Sequence, residues 1–250
     1  MAEHPATRLY LARPLAAGGM IEIDAAQTHR LKNVLRLAPG AEVAAFNARD
    51  GEFLCRVAEL GRHGGSLTVE TRRRTPAREA DPWLVFAPIK RLRLDWLLEK
   101  GTELGVAAFL PVMTERTQAE RINPERLLTH AIAGAEQSER LSVPEIRPLS
   151  PLRQILGGWP AERRLIVCDE TGGGAPMVEM LLSLPPAVPT AVLIGPEGGF
   201  SQTELDAFNN LPFVTKVGLG PRVLRAETAA LAALAVFQAV AGDWRGARVR

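Results

Sequence analysis

The sequence has 250 residues, of which 46% are hydrophobic and 23% are charged, and its formal net charge is +2. This length allows one large domain or two modest ones, and the composition is typical of a globular protein. No segment approaches ~18 consecutive apolar residues, and the N-terminal segment lacks the apolar region of a signal peptide, so a membrane span and secretion are not expected. The expected location is the cytoplasm.

Residues 1 to about 70 are predicted to form a small β domain. Short apolar runs separated by Gly-Gly, Pro-Gly and Asp-Gly pairs are typical of a small antiparallel sheet or barrel. The runs are Leu9–Leu11, Ile21–Ile23, Glu42–Phe46, Phe53–Val57 and Leu67–Val69. Asp50-Gly51 predicts a hairpin between the third and fourth runs. One helix is expected over His29–Leu37, with Leu31, Val34 and Leu35 on one side and Thr28 as its N-cap.

Residues 71–82 contain two prolines and almost no large apolar residue, which indicates a linker. We therefore predict a β domain over 1–72 and a second domain over 73–250. In the second domain, strand and helix patterns alternate, which favours a parallel sheet with crossover helices. The strands are predicted at 83–87, 109–113, 165–168, 191–194 and 214–217, and the helices near 91–104, 124–141, 176–183, 202–210 and 226–241.

Two of these helices have a predicted buried face, and a third is apolar on nearly all sides. The first helix places Leu94, Leu97, Leu98 and Leu104 together, and the second places Leu128, Ala131, Ile132 and Ala135 together. Asn123-Pro124 supplies an N-cap followed by proline at the first helical position. The last helix must be buried by the sheet, by a partner subunit or by both.

Cys55 and Cys168 lie far apart, and the four histidines are scattered, so neither residue type shows metal-ligand spacing. We expect two reduced, buried thiols and no metal.

Glycine-rich loops follow two of the predicted strands. The run at 191–194 leads into Gly-Pro-Glu-Gly-Gly, and the run at 214–217 leads into Gly-Leu-Gly-Pro-Arg. In open α/β sheets, ligands bind outside the carboxyl ends of the strands, and glycine lets the backbone approach a ligand closely. The alternative is that these glycines form tight turns only. Two such loops on adjacent strands favour a binding site.

The loops match no common nucleotide signature. No Gly-Lys-Ser/Thr of a Walker loop and no G-x-S-x-G elbow occurs, and Val223 stands where a dinucleotide fingerprint requires its third glycine. A nucleotide-dependent oxidoreductase is therefore disfavoured. The pattern favours an adenosine-like ligand held by backbone groups.

The two glycine motifs, LIGPEGGFS and LGPRVLRAETA, resemble the paired signature of the SPOUT methyltransferases, and more narrowly the bacterial ribosomal-RNA small-subunit methyltransferase E family. Further similar segments are HRLKNVLRLAPGAEV, WLLEKGTELGV, PVMTERTQ and AEQSER. These motifs span most of the chain in order. Pro221 departs from the small or polar residue expected at its position.

The resemblance implies a PUA-like N-terminal β-barrel that binds RNA and an α/β domain whose parallel sheet has helices on both faces and a C-terminal trefoil knot. It also implies a homodimer that uses S-adenosylmethionine to methylate N3 of one uridine, uridine 1498, in 16S rRNA. The substrate is expected to be rRNA in the assembled small ribosomal subunit. The alternatives are a methyltransferase acting on another rRNA or tRNA position and an RNA-binding relative without catalysis.

Carried over by position, the resemblance assigns cofactor contacts to the two glycine loops and their flanks. These residues are Leu193, Ile194, Gly195, Pro196, Gly198, Gly199, Leu219, Gly220, Arg222, Val223, Leu224 and Thr228.

The catalytic candidates follow from the chemistry of uridine N3, which must lose a proton before it attacks a methyl group. Arg225, Arg222 and Arg116 are candidates to hold the resulting anion, because arginine stays cationic. Glu197 and Glu227 are candidate bases. Glu227 has two alternative roles, orienting Arg225 or stabilising the first turn of the last helix.

The predicted RNA-binding residues include phosphate contacts in the N-terminal region: Arg8, His29, Lys32, Arg36, Arg72, Arg73 and Arg74. They also include Gln137 and Arg140 of the AEQSER motif, which the resemblance places near the active cleft. The arginine clusters have an alternative interpretation as a solvated face, and Gln137 as an ordinary helix-surface residue.

Overall fold

The computed structural model describes residues 5–77, 79–118, 121–171 and 173–246. The chain divides into two compact units. The first consists of Met1–Arg78 and Ala135–Val143, and the second of Glu79–Gly134 and Pro144–Arg250. The first unit therefore includes a segment from the middle of the chain.

The first unit contains a five-stranded sheet with the order β1-β3-β4-β5-β2. Its strands are β1 (Arg8–Tyr10), β2 (Met20–Ile23), β3 (Glu42–Asn47), β4 (Gly51–Leu60) and β5 (Gly65–Arg74). The predicted strands are confirmed, and so is the hairpin between β3 and β4, in which Asn47 pairs with Gly51. β1 pairs in parallel with β3, whereas the other neighbours are antiparallel. The linker predicted over 71–82 is wrong at its start, because β5 continues to Arg74.

The helix of the first unit begins earlier than predicted. It consists of α1 (Ala25–His29) and a π-helical turn (Arg30–Val34). Asp24, not Thr28, is the N-cap, because its carboxylate accepts from the backbone N–H of Gln27 in a capping box. Leu31 is buried as predicted, but Val34 is 63% exposed. The wider π turn changes the angular spacing of the side chains, so Leu31 and Val34 do not share a buried face.

The second unit is built on parallel strands in the order β11-β13-β10-β12-β6-β7-β8, with β9 also pairing with β7. The strands are β6 (Trp83–Phe86), β7 (Ala108–Met113), β8 (Glu145–Ile146), β9 (Ser150–Pro151), β10 (Arg164–Cys168), β11 (Ala175–Pro176), β12 (Thr190–Ile194) and β13 (Val214–Gly218). The helices are α2 (Arg91–Glu103), α3 (Pro124–Gln137), α4 (Leu152–Gly157), α5 (Met177–Ser183), α6 (Gln202–Asn209) and α7 (Ala226–Val240), and a 3-10 turn covers Asp243–Arg245. The five predicted strands and five predicted helices are confirmed, while α4 and the two-residue strands are additions.

The side chains of the buried strands alternate between the two faces of this sheet, and helices pack on both faces. Leu84 and Val192 point into a core shared with α2, α5 and α7, whereas Val85 and Leu193 point into a core shared with α4 and α6. Because successive side chains of a strand point to opposite faces, strands that are apolar at every position need cover on both sides. The predicted two-sided α/β architecture is confirmed.

Two helix faces differ in detail from the prediction. In α3, Leu127 is buried and Leu128 is 40% exposed, so the predicted face is wrong by one residue at its start. The N-cap prediction is confirmed, since Asn123 Oδ1 accepts from the backbone N–H of Arg126 at 3.2 Å. In α7, one side is buried in the core of its own unit, and Leu231 and Val236, which pack against that core, are only partly buried.

A buried ion pair connects the sheet of the first unit with its inserted segment. Arg8 Nε donates to Glu52 Oε2 at 2.8 Å, and the same guanidinium donates to the carbonyls of Ala135, Glu136 and Arg140 at 2.7–3.0 Å. Its carbon lies 4.1 Å from the centroid of the Phe46 ring. Burial lowers the pKa of Arg8, and the hydrogen bond to Glu52 opposes that shift. The side chains of Arg8 and Glu52 are only 11% and 5% exposed, so each depends on its partners for charge compensation.

Both cysteines are buried and unpaired. Burial raises the pKa of Cys55 and that of Cys168 to about 12 in each case, which keeps both sulfurs as neutral thiols near neutral pH. Over the described ranges, we find no helix whose length and apolar character would let it cross a membrane.

The Arg8–Glu52 pair predicts a specific stability effect. Arg8→Met keeps the apolar stem but leaves Glu52 buried beside only Arg73 and Arg74, at 3.7 and 3.9 Å. We expect the free energy of opening of the first unit, measured by hydrogen exchange of the β3 amides, to fall by about 3 kcal/mol.

The matched control is Arg13→Met, whose ion pair with Glu22 is exposed. It is expected to change the same opening energy by less than about 0.5 kcal/mol. Equal effects of the two substitutions would contradict the structural role of Arg8.

Candidate functional site

The carboxyl ends of the parallel strands of the second unit lie at one edge of its sheet. The two predicted glycine loops both leave this edge, but the prediction that their strands are adjacent is wrong. β10 lies between β12 and β13, since Cys168 is in register with both Ile194 and Val217. A third loop therefore emerges between the two glycine loops.

The loop after β12, residues 195–201, is fixed by its own backbone and by the cap of α6. The backbone N–H of Gly199 donates to the carbonyl of Pro196 at 2.9 Å, and Gly199 has a φ of 68°. Ser201 Oγ accepts from the N–H of Glu204, and Glu204 Oε2 accepts from the N–H of Ser201. This reciprocal capping box fixes the end of the loop at the start of the helix.

The loop after β7, residues 114–118, forms two hydrogen bonds, one to the first turn of α6 and one to the β12 loop. Glu204 Oε1 accepts from the N–H of Glu115 at 3.0 Å, and Arg116 donates from a guanidinium nitrogen to the carbonyl of Gly198 at 2.9 Å. β6 separates β7 from β12 in the sheet, so these bonds join loops whose strands are not neighbours. Arg116, a predicted anion-holding residue, therefore positions the glycine loop.

The third loop, described at residues 169–171 and 173–174, follows β10 and was not predicted as part of the site. Asp169 is 5% exposed and accepts from the N–H and hydroxyl of Thr171 at 2.9 and 2.7 Å. Glu170 Oε1 accepts from the N–H of Phe200 at 3.2 Å, and an added Cβ at Gly199 would collide with Glu170. The sequence signal was available, because three glycines follow this buried strand as they follow the others.

The loop after β13, residues 219–225, leaves its backbone accessible. Gly220 has a φ of 102°, and no atom lies within 4 Å of the position that a Cβ would take. Leu219 and Leu224 are partly buried, whereas Arg222 and Val223 are exposed. The loop therefore offers open backbone beside two apolar side chains.

The predicted cofactor residues fall into four groups, of which those in the β13 loop are described above. Leu193 and Ile194 are strand residues whose side chains lie in the cores on opposite faces of the sheet. The backbone-rich group in the β12 loop has Gly195, Pro196 and Gly199 buried and Gly198 exposed. Thr228 lies on the exposed side of the first turn of α7.

The predicted catalytic pair of the last motif stands at the beginning of α7. Arg225 is the N-cap residue and is exposed, and Glu227 lies in the first turn. Glu227 Oε1 lies 3.4 Å from Arg93 Nε, and the Glu227 side chain is 12% exposed. Glu227 Oε2 is buried without a hydrogen-bond partner among the described residues. The ion-pair partner of Glu227 is thus Arg93, which the sequence did not indicate, rather than Arg225. Glu197 is exposed in the β12 loop.

The predicted RNA-binding residues, all in the first unit, divide by exposure. His29, Arg36, Arg72 and Gln137 are exposed, and Arg72 lies over the Phe53 ring. Lys32 is exposed but donates to the carbonyl of Leu60 at 3.0 Å, and Arg73 and Arg74 lie near Glu52.

Two of these predicted contacts are corrected by the geometry. Arg8 is committed to Glu52 and to three backbone carbonyls, and Arg140 is 9% exposed and donates to Ser142 Oγ at 2.7 Å. Neither guanidinium faces solvent, so neither is placed to contact phosphate.

Models of two protein families match the chain. The RNA methyltransferase domain matches residues 77–238, and the RNA methyltransferase PUA domain matches residues 23–70. Together they cover most of the second unit and much of the first sheet.

Named relatives match along nearly the whole chain. The ribosomal RNA small subunit methyltransferase E of Rickettsia conorii is 30% identical over 229 residues, which are 91% of this chain and 93% of that protein. The Bacillus subtilis protein of the same name is 28% identical, over 86% of this chain and 88% of its own. The crystal structure of the Neisseria gonorrhoeae protein of that name, bound to S-adenosyl methionine, superposes with a TM-score of 0.85 at 28% identity, over 96% of this chain and 100% of that one. From the matching family models and the near full-length relatives, we conclude that this chain belongs to the ribosomal RNA small subunit methyltransferase E family.

Proposed function

We propose that this protein transfers the methyl group of S-adenosylmethionine to N3 of one uridine, uridine 1498, of 16S rRNA. The observation that supports this proposal most is that three backbone-rich loops lie at one edge of the sheet, together with Arg225 and Glu227. Family membership supports the class of reaction, and the N-terminal and mid-chain motifs support the particular target.

The loops fit S-adenosylmethionine by their open backbone. Gly220 leaves the space of a side chain vacant, and the partly buried Leu219 and Leu224 flank it with apolar surface suited to an adenine ring. On the other side, residues 195–199 offer buried backbone held by Glu170 and Arg116. When bound, S-adenosylmethionine supplies a methyl group already activated by the sulfonium charge.

The protein must then deprotonate the uridine and stabilise the anion that forms. N3 carries a proton at neutral pH, and its removal leaves negative charge on N3, O2 and O4. Glu227 is the better candidate base, because its buried Oε2 lacks a partner among the described residues and is free to accept a proton. The proton then resides on Glu227 Oε2 until it is exchanged with solvent. Arg93 and the N-terminus of α7 place positive charge beside this carboxylate.

Arg225 is assigned to hold the uridine anion. It is exposed next to Glu227 in sequence, and its guanidinium cannot serve as the base. Arg222 is a second exposed cation in the same loop. Arg116 acts through the β12 loop, as a positioning residue, and Glu197 remains a second candidate base at the rim of that loop.

RNA positioning is assigned to the first unit, a PUA-like domain for which we propose the boundary at 72/73. Because neither Arg8 nor Arg140 faces solvent, the RNA contacts are assigned to the exposed residues His29, Arg36 and Arg72. The substrate is proposed to be rRNA of the assembled small subunit, in the cytoplasm.

We further propose a homodimer and a trefoil knot at the C-terminal part of the sheet. The partly buried apolar side of α7, with Leu231 and Val236, supports a partner surface.

Substituting Gly199 tests the cofactor loop. Gly199→Ala forces an L side chain into a left-handed conformation that costs about 1–2 kcal/mol, and the new Cβ collides with Glu170. We expect the affinity for S-adenosylmethionine, measured by calorimetry, to fall at least about tenfold. Gly157→Ala, at the end of α4 with open space around its Cβ, is the control and is expected to bind normally. Undiminished binding by Gly199→Ala would remove this loop from the site.

The reaction itself is tested by incubating the protein with labelled S-adenosylmethionine and small ribosomal subunits that lack the modification. Nuclease digestion and mass analysis of the nucleosides are expected to show N3-methyluridine. A methyl group on a ribose or on another base would favour a different SPOUT specificity. Transfer to no rRNA, with cofactor binding intact, would favour an RNA-binding relative without catalysis.

Arg225→Ala tests the anion-holding role. Removing a donor that stabilises charge in a transition state costs about 10²–10³ in kcat. We expect a loss of that size with the Kd for S-adenosylmethionine unchanged, and a smaller loss for Arg225→Lys. A near wild-type kcat for Arg225→Ala would rule the role out.

A further inference from the structure

A cleft of about 620 Å³ opens beside the β12 loop in the second unit. Its walls come from the segment after β6, the first turns of α2, Gln118, residues 121–123 and the start of α3. The volume lies in the range of pockets that hold small ligands, about 300–1,000 Å³. Glu197 of the β12 loop also lines it, so the cleft adjoins the proposed cofactor loops.

The interior of the cleft is apolar. Ile89, Leu94 and Leu127 are at most 7% exposed and belong to the core, and Ile122 packs against them from the side. Such a surface suits the flat, poorly hydrated face of a nucleobase, because burying it removes apolar area from water.

The rim of the cleft is cationic. Lys90, Arg91 and Arg121 are exposed, and in the described part of the chain none of them forms an ion pair. Arg126 also lines the cleft, but it is paired with Asp95. Three cations that have no ion-pair partner among the described residues, around an apolar floor, match a ligand with one flat face and adjoining phosphates.

From this arrangement we infer that the cleft receives the target nucleotide of the rRNA, with its base on the apolar floor and its flanking phosphates at Lys90, Arg91 and Arg121. Enzymes that modify a base must take it out of the stack into a pocket, and sequence-specific proteins bind RNA at unstacked bases. Glu197 then lies where the base meets the cofactor loop. This inference rests on the proposed function and adds the residues that select the substrate.

The first test neutralises the rim one charge at a time in the full-length protein. Lys90→Gln, Arg91→Gln and Arg121→Gln are each expected to raise KM for small-subunit rRNA several-fold, and the triple variant at least about tenfold. Each lost phosphate contact should flatten the plot of log kcat/KM against log salt by about 0.7, the value for single strands. The Kd for S-adenosylmethionine should stay within about twofold.

The matched control is Arg153→Gln, which removes an exposed arginine of α4 in the same unit, outside the cleft. It is expected to leave both KM and the salt slope unchanged. Rim variants that behave like Arg153→Gln overturn the cleft assignment while the proposed function stands, because the wild-type protein still methylates rRNA. A wild-type protein that methylates no rRNA overturns both.

The second test fills the apolar interior of the cleft with a larger side chain. Ile122→Trp places an indole in the cleft and is expected to lower kcat/KM for rRNA more than about 100-fold, with cofactor binding and the circular dichroism spectrum retained. Methylation at the wild-type rate by the correctly folded variant would show that no base enters the cleft.

Discussion

Parallel pairing of every strand in the second sheet is the constraint on which the site depends. Because the strands run in one direction, each loop after a strand leaves at the same edge, and residues far apart in sequence become neighbours there. Arg116 and Glu170 come from the loops after β7 and β10, and at this edge they hydrogen-bond the backbone of the loop after β12, at Gly198 and Phe200 respectively. An antiparallel arrangement would send alternate loops to opposite edges and separate them.

The glycine loop after β12 is held in one shape from both sides. Glu204 closes the capping box of α6 and also accepts from the backbone of the β7 loop, so a single carboxylate joins two loops. Glu170 hydrogen-bonds the backbone of the loop at Phe200, and Arg116 hydrogen-bonds it at Gly198. A site whose backbone groups are already fixed loses less entropy when a ligand binds. The charged neighbours of this loop therefore fix the position of its backbone.

In the first unit, part of the positive charge is used inside the structure. Glu52 is buried and compensated by Arg8, with Arg73 and Arg74 close by, so part of a basic cluster is used to neutralise one carboxylate. The arginines that remain exposed are fewer than a count of basic residues indicates. The number of basic residues in the first unit is therefore larger than the number that could contact phosphates.

Local patterns in the sequence determined the elements and the family of this protein. Runs of β-branched and apolar residues, Asp-Gly, Asn-Pro and the Ser201–Glu204 box encode strands, turns and caps through contacts between near neighbours, so β3, β4, α3 and α6 were predictable. The glycine motifs indicated the candidate site because no other residue leaves the backbone so open. Only the tertiary structure decided the rest: that β10 separates β12 from β13, that residues 135–143 join the first unit, that Arg93 pairs with Glu227, and that Arg8 and Arg140 are buried. These features depend on contacts between distant residues, and whether an arginine meets solvent or a buried carboxylate is settled only when the chain packs.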